Sequence, residues 1–199
     1  MSPVRDPEST RRHILQVTAE EMRQNGFKAA SLADILTKAG VSKGALYHHF
    51  ANKQELGYAV FDEIFVQEFL NDWDLPMSAE SPIDALCEWM NCFASEVTKE
   101  ELEQGCPIYN IATEMAASDE GFREKTISMF ETLQHRLANA IETAKKKQQV
   151  RTEVEPEVVA PFVVAAIQGS MMQGKYGRDL PTFKACVCCL VEYLSSLKK

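Results

Sequence analysis

An all-α fold is predicted for this chain by three observations. Apolar residues recur at helical spacing over nearly the whole length, Pro- or Gly-containing breaks separate those stretches, and no run alternates apolar with polar as a half-buried strand does. About nine helices follow: three in an N-terminal head, a connecting helix over about residues 54–71, and five in the body.

The head carries the densest local signals. Ser31 can cap a first short helix over residues 32–39, with Asp34 three residues on, where a carboxylate suits the positive end of the helix dipole. Gly40 supplies the turn, and a second helix over 42–50 follows, capped by Ser42. It presents Lys43, Gly44, Ala45, Tyr47 and His48, a mix of small, phenolic and cationic side chains suited to a major groove. Asn52 caps the next helix, which Lys53 begins. Such spacing is that of a helix-turn-helix.

Beyond the head, Leu56, Val60, Phe61, Ile64 and Phe65 form one stripe, and Ile83, Leu86, Cys87, Met90, Phe93 and Val97 a second. A third is long, from Phe122 through Met129, Leu133, Leu137 and Ile141 to Ala144, closed by Lys145 to Lys147 at its C-terminal end. Breaks are expected at Leu75-Pro76, Ser81-Pro82, Gly105-Cys106-Pro107, 118–121, 150–156 and 177–181. Residues 158–173 are apolar on most sides and hold the small residues Ala165, Ala166 and Gly169; Pro161 either begins or kinks that helix. Phe183, Cys186, Val187, Leu190, Leu194 and Leu197 stripe the last one. A helix apolar all round is buried against something, either this chain's own core or a second subunit.

Residues 31–53, SLADILTKAGVSKGALYHHFANK, resemble the tetracycline-repressor (TetR) family of bacterial transcriptional regulators. The resemblance rests on Ser31, the pair Ile35-Leu36, the run AGVSKGALYHHF from Ala39 to Phe50, and Lys53; upstream, Ile14, Leu15, Met22 and Gly26-Phe27 agree. Leu36 and Glu21 depart from it, at positions of packing. What the resemblance implies is a dimeric regulator, usually a repressor, that binds a palindromic double-stranded DNA operator. The last two helices would pair with their copies as a four-helix bundle. A small-molecule effector in the body would swing the connecting helix and release DNA. The implied division is a DNA-binding domain, 1–55, and a ligand-binding and dimerisation domain, 56–199. Ser31, Ser42, Tyr47 and Lys53 are expected on phosphates, and Lys43, Gly44, Ala45 and His48 in the groove. His49 packs under the helix or joins them.

Charge agrees once split by region. Residues 1–55 hold 8 Lys/Arg against 6 acids, net +2, and the remaining 13 cations face 23 acids, net −10, giving the chain's −8. A basic head on an acidic body attracts phosphate at one end only. The longest apolar run, 158–167, is ten residues, short of the ~18–20 that span a bilayer, and MSPVRDPEST lacks a signal peptide's apolar core. The expectation is therefore a cytoplasmic protein whose six cysteines stay thiols, with no cofactor, no metal and no catalytic residue.

For the effector, Trp89, Phe93, Tyr109, Phe130 and neighbouring methionines would line an apolar cavity, with Asn110, Glu114 or Gln168 as polar anchors; core packing is the competing reading for each. Cys106 stands apart, because Pro107 fixes a helix start where a thiolate is favoured, whereas the other five cysteines fall in helical stripes. Family members with Gly-Cys at this point include regulators of electrophile detoxification, which implies a thiol sensor. A cysteine-based redox enzyme would have only His135 in the body as its base, and a metal site at 186–189 points Cys188 away from Cys186 and Cys189.

Overall fold

The computed structural model describes residues 6–199, so Arg5 and the reading of the N-terminus as leaderless lie outside the described residues. The described residues form helices and no strand, as the periodicity predicts. Helix α1 spans Pro7–Ala29, α2 Leu32–Ala39 and α3 Lys43–His49. Their boundaries follow from local chemistry. Ser31 Oγ accepts from the Asp34 N–H at 3.5 Å, Gly40 ends α2 at the left-handed φ of 61°, and Ser42 Oγ accepts from the Ala45 N–H at 3.1 Å. Asn52 Oδ1 accepts from the Glu55 N–H at 2.8 Å and starts α4. That helix runs Lys53–Val60, widens to π-helix over Phe61–Val66 and resumes as Gln67–Met77.

The remaining helices are α5 Pro82–Glu96, α6 Lys99–Gln104, α7 Pro107–Met115, α8 Glu120–Lys146, α9 Pro156–Gly177 and α10 Leu180–Ser196. The break expected at Pro76 is corrected, and Pro161 does not begin its helix. Pro76 lies inside α4, where its lost bond falls in the last turn, and Pro161 lies inside α9, where the bond it forgoes is to Glu157 in the exposed first turn. Short α6 is held by a capping box: the Thr98 N–H donates to Glu101 Oε2 at 2.9 Å, and the Glu101 N–H to Thr98 Oγ1 at 3.1 Å.

The chain packs as two compact units. The first joins the described residues up to Phe69 with Pro107–Thr126, so α7 and the start of α8 belong with the head helices. Within it α1 packs on α2, α4 and α7. Its centre is Phe122, fully buried, against which Phe27, Tyr58 and Phe61 stand edge-on with centroids at 4.9, 4.8 and 5.9 Å. Glu21, the departure in the apolar stripe of α1, is 2% exposed and ion-paired to Lys38 on α2, with Asn25 Nδ2 donating to it at 3.5 Å. A buried charge with its partner in place ties α1 to α2.

The second unit comprises Leu70–Cys106 and Ile127–Lys199. Here α10 packs on α9 and α5, and α9 on α6. Trp73, Trp89, Phe93 and Phe183 make a row of rings with successive centroids at 5.1, 6.3 and 5.8 Å. In α10 the buried stripe is Phe183, Val187, Leu190 and Leu194, so Leu190 belongs to the protomer's own core. That register leaves Cys186 half-buried and Cys188 and Cys189 exposed; Cys92 is exposed as well. The expectation that the helical cysteines are packed thus fails for three of them, because a stripe at helical spacing admits one face only.

Candidate nucleic-acid interface

Helix α3 is anchored from below. Leu46 and Phe50 are buried, which turns Ser42, Lys43, Gly44, Tyr47 and His48 outward, with Tyr47 40% exposed and Ala45 half-buried. Lys43/Tyr47 and Gly44/His48 are four residues apart and share a face. Lys43 Nζ lies 5.7 Å from the Tyr47 ring centroid and makes no ion pair among the described residues. Other cations of the head are engaged: Arg11 donates to Glu63 at 2.7 Å, Arg23 pairs with Glu68, and Lys38 with Glu21. Lys43 is thus left to an outside partner where these three cations are not. Ser31 and Ser42 use oxygen lone pairs as caps, which leaves each hydroxyl proton to donate to a phosphate oxygen.

Two positions behave differently from their neighbours. His49 is half-buried, its ring 6.3 Å from that of Phe50, and so sits on the packing side of α3. Lys53 Nζ donates to the Lys28 carbonyl at 3.1 Å and lies 4.8 Å over the Phe27 ring; burial lowers its pKa, opposed by the charge of Glu114. One of its three donors thus already braces the turn before α2.

The residues suggested for an effector fall in different places. Trp89 and Phe93 are half-buried in the aromatic row, and Phe130 is half-buried on α8. Tyr109 is 5% exposed in the first unit, its ring 5.9 Å from that of Phe69, with Asn110 half-buried beside it in sequence. Cys106 is half-buried and directly precedes α7. Glu114, read from sequence as a polar anchor for a ligand, is instead spent on the head: its carboxylate accepts from the Phe27 N–H at 2.8 Å and the Lys28 N–H at 2.7 Å. Asp119 also serves the first unit. Burial raises its pKa, but hydrogen bonds from the Tyr58 hydroxyl at 2.7 Å, the Phe122 N–H at 3.0 Å and Gln54 outweigh it and hold the carboxyl below its usual range. These reaches across more than sixty residues gave no sequence signal except Gly26, which is misplaced for a helix interior. Among the described residues no three His, Cys, Asp or Glu cluster as metal ligands.

A capped pair of short helices whose second member is anchored by two buried apolar residues and turns its unpaired cation outward defines a helix-turn-helix DNA-binding regulator. Residues 14–60 match the family described as bacterial regulatory proteins, tetR family, and residues 82–186 the tetracyclin repressor-like C-terminal domain. An uncharacterized HTH-type transcriptional regulator in the lacX 3' region of Lactococcus lactis subsp. lactis is 30% identical over 178 residues, 86% of each chain. The HTH-type transcriptional repressor DhaR of Mycobacterium sp. (strain GP1) is 25% identical over 173 residues, covering 85% of this chain and 84% of its own. The reduced form of E. coli NemR shares the fold with a TM-score of 0.81 at 21% identity, over 91% of this chain and 94% of that one. The chain belongs to the TetR family of transcriptional regulators.

Proposed function

We propose that this regulator is an effector-responsive repressor that binds a palindromic operator as a homodimer. Residues 1–55 act as the DNA-reading head, and 56–199 as the ligand-binding and dimerisation part. Lys43, Gly44, Ala45 and His48 face the bases, and Ser31, Ser42, Tyr47 and Lys53 hold the backbone. The observation that carries this reading is the outward face of α3, where Lys43 makes no ion pair among the described residues while Arg11, Arg23 and Lys38 are each paired to a carboxylate. DhaR is a repressor by name, which supports the sign of regulation.

Lys43→Ala is expected to weaken binding to a preferred duplex by about 1–3 kcal/mol while relaxing base preference at one position, because a lysine on guanine O6/N7 carries sequence information. Tyr47→Phe, which deletes a phosphate donor, weakens all duplexes alike. Fluorescence anisotropy against the preferred duplex and its single-base variants measures both; unchanged discrimination by the Lys43 variant would remove it from the recognition face.

Dimerisation through α9 and α10 is supported by an open apolar stripe on α9. Val158 is 61% exposed, Phe162 50% and Tyr176 68%, and Gly169 between them meets nothing within 4 Å. Apolar faces this open are characteristic of an interaction surface.

Release by modification of Cys106 is the reading of the sensor that the surroundings favour. Lys175 Nζ donates to the Gln104 carbonyl at 3.1 Å, and burial lowers its pKa against an opposing electrostatic contribution from Cys106. A cation beside a thiol stabilises the thiolate. Treatment with N-ethylmaleimide should label Cys106 and weaken operator binding by about 5–150-fold, the usual span of allosteric coupling. Cys106→Ser should bind normally and ignore the reagent. If that variant still releases DNA on treatment, the Cys106 switch is dropped in favour of a non-covalent effector.

A further inference from the structure

Helix α1 does not run smoothly into the turn before the DNA-reading pair. At Gly26 its backbone leaves the helical region for φ 77°, ψ 172°, then resumes to Ala29. A break of this kind deprives the amides that follow of their helical carbonyl acceptors. Those amides, Phe27 N–H and Lys28 N–H, are instead taken up by the two oxygens of Glu114 at 2.8 and 2.7 Å. The fit is close on both sides. A Cβ at position 26 would lie 2.7 Å from Glu114 Oε2, so a side chain there meets the carboxylate as well as a disfavoured backbone angle. The return contact is also made, with Lys28 Nζ donating to the Glu114 carbonyl at 3.1 Å, and Lys53 donating to the Lys28 carbonyl at 3.1 Å. One carboxylate, delivered by α7 from 86 residues away, thus fixes the four-residue approach to Ser31, where α2 begins.

We propose that Glu114 is a positioning residue for DNA recognition, setting the direction in which the chain enters α2 and α3. This rests on the reading that those helices bind DNA. Two parallel bonds to an ionised carboxylate are both strong and directional, so they define an angle as well as a distance. Because α7 starts at the residue after Cys106, the segment that carries the thiol also carries this carboxylate.

The experiment uses the full chain, a duplex it selects from random DNA, and a mixed-sequence duplex as reference. Glu114→Gln keeps the shape but presents one N–H donor where an acceptor is needed. It should lower affinity for the selected duplex by about ten- to hundredfold while leaving mixed-sequence binding and the thermal midpoint near wild type. Amide exchange at Phe27 and Lys28 should rise in step. Wild-type affinity for the selected duplex would overturn the proposal, as would an equal loss on both duplexes. Should the Gln variant not fold, Glu114→Asp keeps the charge and shortens the reach; a partial loss of discrimination is expected, and none would overturn the proposal. A wild-type protein that selects no duplex at all refutes the DNA-binding reading, and this inference with it.

Discussion

Phe162→Glu is expected to convert the protein from dimer to monomer and to lower operator affinity by about 10²–10⁴, the advantage that two linked half-site contacts have over one. Phe162 is half-exposed on α9, its ring 4.8 Å from Tyr193 of α10, so the substitution removes little from the protomer's own core. In a two-fold interface the same patch meets itself, and each glutamate would be desolvated near its copy. Sedimentation velocity reads the assembly, and circular dichroism checks that the helices persist. Leu190→Glu makes the contrast. At 4% exposure that residue is inside the protomer, and its replacement should unfold the second unit instead of dissociating folded subunits. A Phe162 variant that remains dimeric would place the interface elsewhere.

Phe122→Ala should cost about 3–5 kcal/mol of stability in the first unit, the usual range for truncating a fully buried phenylalanine. The upper part of that range is expected. Phe122 touches rings from α1 and from two turns of α4, and each edge-to-face pair adds to the area it buries. Urea unfolding followed by fluorescence measures the change. The head should also bind DNA less tightly at temperatures where the second unit is intact, because Phe27 stands on this ring and begins the approach to α2. A loss below about 1 kcal/mol would mean that the cluster collapses to fill the space.

The head was legible in sequence because its signals are local. Ser31, Ser42 and Asn52 each cap a helix whose acceptor and donor are three residues apart, and Gly40 takes the one backbone conformation that needs glycine. Long stripes were equally plain, as in α8, where Phe122, Met129, Leu133, Leu137, Ile141 and Ala144 are all buried. Register against a distant neighbour was not. Nothing near Glu114 announces that it caps a break in α1, and nothing in VCCL says which side of α10 faces the core. Pro76 misled for a related reason, since a proline's cost depends on where in a helix the missing bond falls. At the interface, the groove-facing residues followed from spacing on α3; the engagement of Lys53 by Lys28 did not, because it depends on the break at Gly26.

Selection from a random-sequence duplex library shows whether α3 reads DNA in a two-fold protein. The full chain should enrich an inverted repeat whose half-sites present the same edge of the helix, with centres about one turn, ~34–36 Å, or a multiple apart. Lys43→Ala, taken through the same selection, should lose preference at a symmetric pair of base positions and keep the spacing. Enrichment of no sequence, or of an asymmetric one that the Lys43 variant reads as well as the wild type, would mean that α3 is not the reading helix of a two-fold protein.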